Sequence, residues 1–331
     1  MRHGRSRTRQ TPVTLVSVGI PTFNRATKLR RAAESVLQQS HRDLELVISD
    51  NASSDDTEAV CRELCAADAR VRYLRSPVNR GPTANFNTLY EAIGGEFAMM
   101  LSDDDWLEAT YVERCLAGLL ADPSRRLVAG RARYLDSEGA ARLGAAVDFE
   151  SADPGGRVLD YLRHNDKDSL FYGLTRRDTL RAAAPMRNIL GADWLLVAGI
   201  LVQGTAATVE STEIIRELGG TSANVAKVAA TLGLPGAQAR APHLVIAWEL
   251  FAAILWRGAA FRELRTRKRA ALAARAALSV LDWRSDAWHL TAPTAAALGR
   301  RRGGAPLWRA YLRLTARLGA THAEVPDEPT S

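Results

Sequence analysis

Through the first 135 residues, short unbroken apolar runs alternate with longer stretches whose apolar residues return every three or four positions. The runs "VTLVSVGI" (13–20), "LELVIS" (44–49), "VRYL" (71–74) and "FAMML" (97–101) have the length and composition of buried strands. Between them, "TKLRRAAESVLQQ" places Leu29, Ala32, Ala33, Val36 and Leu37 on one helical face. Val60 and Leu64 form the inward stripe of "SSDDTEAVCRELCAA", where a serine cap and early acids mark a helix start. Phe86, Leu89, Tyr90 and Ile93 repeat at the same spacing. The alternation predicts an α/β fold with a mostly parallel sheet between helices, because parallel neighbours need crossovers that cover both faces.

From residue 136 the pattern loosens into the polar, Gly-bearing "DSEGAARLGAAVDFESADPGG", and strands and helices resume with "SLFYGLTRRDTLRAA" and "GADWLLVAGILVQG". Beyond about residue 235 only helical patterns remain, rich in Ala, Leu, Arg and Trp. The expected organisation is a disordered basic arm (1–12), one half of an α/β domain (13–135), its second half (136–235), a helical C-terminal extension (236–320) and a disordered tail (321–331).

Composition narrows the classes. A chain of 331 residues with 47% hydrophobic content excludes disorder throughout. Three cysteines without framework spacing point to a reducing cytoplasm and to small apolar packing rather than disulfides or zinc. The basic start lacks the apolar core of a secretory signal. "LVIAWELFAAILW" (244–256) is interrupted by Glu249 and too short to cross a bilayer, so the expectation is a cytoplasmic protein, at most peripheral to the membrane's inner face. The net charge of +7 sits largely in the arm and in "RELRTRKRAALAAR" and "GRRRGG". A solvated face is the default for such runs, with anionic lipid or an acidic partner as alternatives. No nucleic-acid module is present, and no nucleic acid is expected as partner. Core packing is the first reading of Trp248, Phe251, Trp256 and Phe261, ahead of a dimer interface, a membrane face or an acceptor wall. Because the tryptophans are spread over several helices, packing with homodimerisation is the expectation for this region.

The chemistry concentrates in "MMLSDDDWLE" (99–108), where Asp103, Asp104 and Asp105 follow a predicted strand. Adjacent carboxylates raise one another's cost of ionisation. A surface loop tolerates this through screening, whereas a hard divalent cation offsets it by taking carboxylate oxygens. Asp50 and "PTFNR" (21–25) also fall just past predicted strand ends, and ligands of parallel sheets bind outside those carboxyl ends. Three polar clusters on one edge favour a site over a loop of accidental acids.

In order and spacing, "VSVGIPTFNR", "LELVISDNASSDDT", "NRGPTANFNTLYEAIGGEFAMMLSDDDWL" and "GADWLL" resemble the family 2 glycosyltransferases of the GT-A fold, over roughly residues 13–220. The resemblance implies inverting transfer from a nucleoside-diphosphate sugar (UDP-, dTDP- or GDP-linked) to an acceptor hydroxyl, with Mn²⁺ or Mg²⁺ bound. On that basis residues 13–135 form the nucleotide-sugar-binding half and 136–235 the acceptor-binding half. Pro21, Thr22, Asn24 and Arg25 would line the nucleotide, Asp50 would face the nucleobase, and Arg80 and Asn85 would lie near the same pocket. An ordinary turn for "PTFNR" and a helix-capping role for Asn85 are the competing readings. The family pattern is D-x-D-D, and Ser102 stands at its first position. The resemblance therefore assigns Asp103 to the ribose and Asp104 to the metal, with Asp105 a second ligand or a brace. Asp193 in "GADW" matches the general base, with Ile189, Leu190, Trp194 and Leu195 expected to desolvate it, against a competing role as helix cap. Arg177 and Arg216 are candidates for the diphosphate, and Gly219 and Gly220 for a closing loop. The alternatives are a catalytically silent nucleotide-sugar binder, suggested by Ser102, and a sugar-1-phosphate nucleotidyltransferase, for which "PTFNRATK" is a poor signature loop.

Overall fold

The structure is a computed structural model and describes residues 14–136, 138–164, 170–217 and 225–281. The expected arm, the tail, the Gly219–Gly220 loop and the C-terminal region after 281 lie outside the described residues.

The strands are β1 (Val16–Thr22), β2 (Leu44–Asp50), β3 (Val71–Arg75), β4 (Phe97–Met100), β5 (Trp106–Leu107), β6 (Arg125–Leu135), β7 (Ala141–Leu143), β8 (Leu174–Arg176) and β9 (Thr205–Glu217). The helices are α1 (Ala26–Leu37), α2 (Thr57–Ala67), α3 (Pro82–Ala92), α4 (Tyr111–Ala121), α5 (Pro154–His164), α6 (Arg177–Ala183), α7 (Ala192–Leu201), α8 (Val225–Thr231), α9 (Gly236–Arg240), α10 (Pro242–Ala252) and α11 (Thr266–Val280).

All the strands join one sheet in the order β3-β2-β1-β4-β8-β6-β9-β5, with β7 pairing β6. β1 runs parallel to both β2 and β4, and β2 to β3. The second half of the sheet is mixed, since β8 is antiparallel to β4 and β6 while β6 and β9 are parallel. The periodicity behind α1 is physical: Leu29, Ala32, Ala33 and Val36 are fully buried and Leu37 packs at the edge of the same core. Val60 and Leu64 of α2 join them. Cys61 and Cys115 are fully buried, and burial pushes the Cys61 thiol up to about 12, which leaves it protonated and inert.

The chain divides into two compact units that do not follow its linear halves. The sheet, with α1 to α4 and α6, forms one. The other gathers α5, α7 and the helices from α8 onward. The expected second half, 136–235, is therefore distributed: its strands belong to the sheet unit, while α5 and α7 pack with each other and α5 with α11. Within this helical unit, the guanidinium of Arg157 on α5 donates to the carbonyls of Leu201 (2.8 Å) and Val202 (3.3 Å) at the end of α7. Among the described residues, no helix is long and apolar enough to cross a membrane.

Candidate active site

β1 is flanked by two strands whose crossovers leave from its opposite sides, so the carboxyl ends of β1, β2 and β4 open a crevice at a topological switch point. The polar residues predicted at those ends do meet there. Thr22, the last residue of β1, donates its hydroxyl to Asp103 Oδ2 (2.8 Å). Arg25, just before α1, reaches over with one nitrogen to Asp103 Oδ1 (3.1 Å) and Asp104 Oδ2 (2.5 Å). Ser102 donates to the other Asp104 oxygen (2.5 Å). Asp105 turns away from this pair, and its carboxylate receives Arg216 Nε from the end of β9 (3.1 Å).

The three adjacent carboxyls are therefore unequal. The Asp103 and Asp105 side chains are 8% and 4% exposed, against 17% for Asp104. Burial pushes Asp103 up to about 6, opposed by Arg25 and the Thr22 hydrogen bond and reinforced by Asp104. Burial likewise takes Asp105 to about 6, with Arg216 opposing and Asp104 adding. Asp104 also loses water, but the Ser102 hydrogen bond and Arg25 outweigh that loss and hold it below the ordinary carboxyl value. Asp104 is thus the most acidic and most accessible of the run. Burial works against the charge of Arg216, yet Tyr172, Asp105 and Tyr134 raise its pKa overall. Its guanidinium carbon lies 4.7 Å from the Tyr172 ring centre and 5.7 Å from that of Tyr134.

Asp50 is completely buried at the end of β2. Its carboxylate accepts from Ser53 N–H (2.8 Å), Tyr73 O–H (2.8 Å) and Arg75 Nε (3.2 Å), so it fixes the turn after β2 and water does not reach it. That turn needs Ala52 at φ 65°, a left-handed conformation that L side chains rarely adopt, and Asn24 in the neighbouring turn has φ 53°. The two turns are laced together: Asn24 N–H donates to Ser53 Oγ (2.9 Å) and Ser54 N–H to Asn24 Oδ1 (2.7 Å). Strained backbone held by such cross-links is characteristic of functional sites.

Asn85 does not cap its helix, whose N-cap is Gly81. Its side-chain amide donates to the carbonyls of Thr22 (3.2 Å) and Ser49 (2.9 Å) and accepts from Ser49 Oγ (2.6 Å), which ties the ends of β1 and β2 together. Pro21 is part of β1, and Arg80 is exposed, donating to Thr88 Oγ1 (3.1 Å). Arg177 is not brought to the cluster. Its N–H bonds Glu96 O (2.9 Å) beside the amino end of β4, the opposite edge of the parallel strands.

Sequence reasoning missed several members. Lys28 and Arg31 on α1 both reach Glu217 at the end of β9 (2.6 Å each), and Arg31 also donates to Asp104 O (3.1 Å) and lies 3.8 Å over the Trp106 ring. The signal was present: Arg25, Lys28 and Arg31 recur every three residues on one face of the first two turns.

Asp193 belongs to the helical unit, in the first turn of α7. The N-cap of α7 is Gly191 at φ 72°, where an added Cβ would come within 2.7 Å of the Ile246 side chain, so only glycine fits. Asp193 itself is exposed while Ile189 and Leu190 are buried. The expected neighbours therefore do not enclose Asp193: Ile189 and Leu190 are buried ahead of the helix, and Trp194 and Leu195 on α7 are only half-buried.

Among the described residues, no group of three or more His, Cys, Asp or Glu is arranged to hold a metal ion by itself. The donor chemistry still suits Mg²⁺ or Mn²⁺, since a hard cation that keeps waters and takes phosphate oxygens needs only one or two protein carboxylates. Asp104 meets that need, with Arg25 as the cation now on the same oxygen.

The mixed sheet, with its polar crevice at a switch point, has the GT-A fold. Residues 17–176 match the model of glycosyl transferase family 2. Among curated relatives, the GalNAc(5)-diNAcBac-PP-undecaprenol beta-1,3-glucosyltransferase of Campylobacter jejuni is 42% identical over 93 residues, covering 28% of this chain and 30% of that protein. The chondroitin synthase of Escherichia coli is 38% identical over 127 residues, covering 38% of this chain and 18% of the synthase. The match thus spans less than a third of either relative. In fold, the chain is similar to S. aureus TarS 1-349 in complex with UDP-GlcNAc (TM-score 0.56, 14% identity, 94% of this chain and 81% of that one). It is also similar to the mannosyltransferase PcManGT from Pyrobaculum calidifontis in complex with GDP-Man and Mn²⁺ (TM-score 0.50, 18% identity, 93% and 88%).

Proposed function

We propose that this chain is a glycosyltransferase that moves a sugar, with inversion, from a nucleoside-diphosphate sugar to an acceptor hydroxyl. The observation that carries the reading is the convergence of Thr22, Arg25, Asp103 and Asp104 at the carboxyl ends of β1 and β4, within the segment that matches the model of glycosyl transferase family 2. In this reading Asp104 would hold a divalent cation, which would supply positive charge for the leaving nucleoside diphosphate. Arg25, Lys28 and Arg31 add fixed positive charge along the same face of α1, where a diphosphate would be drawn. Asp50 and Asn85 act indirectly, by fixing the turns and strand ends that shape the crevice. Asp103 and Thr22 hold Arg25 in place, and Asp105 does the same for Arg216. Asp193 is the base that takes the acceptor proton, and its exposure in the first turn of α7 leaves it reachable by an acceptor.

The donor is UDP-, dTDP- or GDP-linked, in keeping with the nucleotide-sugars bound by the structural neighbours. The test is a panel of these nucleotide-sugars with Mn²⁺ or Mg²⁺, read as released nucleoside diphosphate. At least one donor should turn over above buffer and stop on chelation. No release from any donor would refute the enzymatic reading, and release undiminished in excess chelator would refute the metal assignment.

A further inference from the structure

The helical unit carries an aromatic cluster that the proposed chemistry does not use. Trp248 and Phe251 on α10 and Trp256 in the π-turn that follows (Ala253–Arg257) meet with ring centres 5.5 to 6.4 Å apart. The wide turn after α10 folds Trp256 back onto Trp248, while the later tryptophans of the expected spread lie outside the described residues. The two indoles are 55% and 61% exposed, whereas Ile254 between them is buried. Two neighbouring tryptophans, their rings tilted against each other and open to water, cost hydration free energy unless something covers them.

The neighbouring chain says what kind of cover fits. The stretch directly after the cluster exposes Arg262, Arg265, Arg267 and Lys268 against the single acid Glu263. Arg267 and Lys268 open α11, which packs on both α10 and the π-turn. A second copy of this chain is a poor cover, because a two-fold interface would set the same cations against one another. An anionic bilayer is a good one. Indoles settle at the headgroup level, where the ring is apolar and the N–H stays wet, and adjacent Lys and Arg add electrostatic attraction to acidic lipid.

We infer that the Trp248–Phe251–Trp256 cluster and the basic stretch 262–268 form a peripheral docking surface for an anionic lipid bilayer. This surface is independent of the transfer chemistry, so vesicle binding can fail while turnover stands, and the reverse.

The test is co-sedimentation of the full chain with phosphatidylglycerol vesicles and, separately, with phosphatidylcholine vesicles, across a salt series. The chain should bind the anionic vesicles, bind the zwitterionic ones weakly, and lose affinity as salt rises. The double substitution Trp248→Ala with Trp256→Ala should weaken binding roughly tenfold or more, with an unchanged melting temperature reporting an intact fold. Arg265→Gln with Lys268→Gln should weaken it less and flatten the salt dependence. Bromine-labelled acyl chains should quench wild-type tryptophan fluorescence and lose most of that effect in the double variant. A wild type that ignores phosphatidylglycerol overturns the inference. So does binding that survives loss of both tryptophans, or a concentration-dependent dimer that these substitutions dissolve.

Discussion

The sheet unit and the helical unit differ in where their partnered charges sit: the sheet unit gathers them at one crevice, while the helical unit buries Glu249 between Arg187 and Arg257 and leaves other charges outside. In the sheet unit the carboxylates that matter are withdrawn from water and matched to cations: Asp103 to Arg25, Asp105 to Arg216, Asp50 to Arg75. In the helical unit Asp193, the cations from Arg262 to Lys268 and two tryptophans are left exposed. Buried, partnered charge is expensive to assemble and, once assembled, has one geometry. Exposed groups have no such constraint and act only on what arrives. On the proposed function, the contrast fits a first unit that holds one small charged ligand in a set position and a second that meets larger partners.

The strongest way to break the comparison is to remove a partner from a buried pair. Arg216→Ala strands Asp105 without its cation and strips the guanidinium from Tyr134 and Tyr172, so we expect unfolding by urea to lose about 3–5 kcal/mol. A loss within 0.5 kcal/mol would mean that the pairing is incidental.

Next is Asp104→Asn, which keeps shape and removes one charge from the most accessible carboxyl of the run. Turnover should fall roughly a hundredfold to a thousandfold, on the scale of losing one electrostatic stabiliser of the transition state, while the melting temperature moves little.

Asp193→Asn sharpens the exposed side of the contrast. As a near-isostere at an exposed position it should leave folding and donor affinity unchanged and slow transfer roughly a hundredfold, the scale of a lost general base. Near wild-type turnover would remove Asp193 from the chemistry.

The legibility of the molecule in its sequence divides along the same line. The first four strands and their helices were readable because burial on two sides imposes a simple period, as in Leu29, Ala32, Ala33 and Val36. The convergence of "PTFNR", Asp50 and the aspartates was readable because the carboxyl ends of parallel strands share one edge. What could not be read was which polar group pairs with which. Arg216 meets Asp105 and Glu217 meets Lys28 across more than a hundred residues of chain, set by the register of β9, and no local pattern encodes that. Arg177 looked like Arg216 in sequence, but antiparallel β8 delivers it to the far edge. The outward turn of Asp193 and the folding back of Trp256 likewise depend on a single-residue choice of helical phase and on a π-turn.

The smallest expected change tests the seam between β1 and β2. Asn85→Ala leaves the carbonyls of Thr22 and Ser49 without their shared donor, so stability should drop by about 1–2 kcal/mol. Donor affinity should weaken with it, since the same two strand ends carry the crevice. An intact affinity would mean that the seam is structural alone.

Calorimetric titration of UDP, dTDP and GDP into the wild-type chain and Asp104→Asn, with Mn²⁺ and then with excess chelator, bears most directly on the claim that the paired cluster is a diphosphate site. The account predicts that at least one nucleotide binds the wild type with Mn²⁺ and at least roughly tenfold more weakly without it, and that Asp104→Asn binds weakly under both conditions. Equal affinity with and without the cation, or an Asp104→Asn titration indistinguishable from wild type, would contradict it.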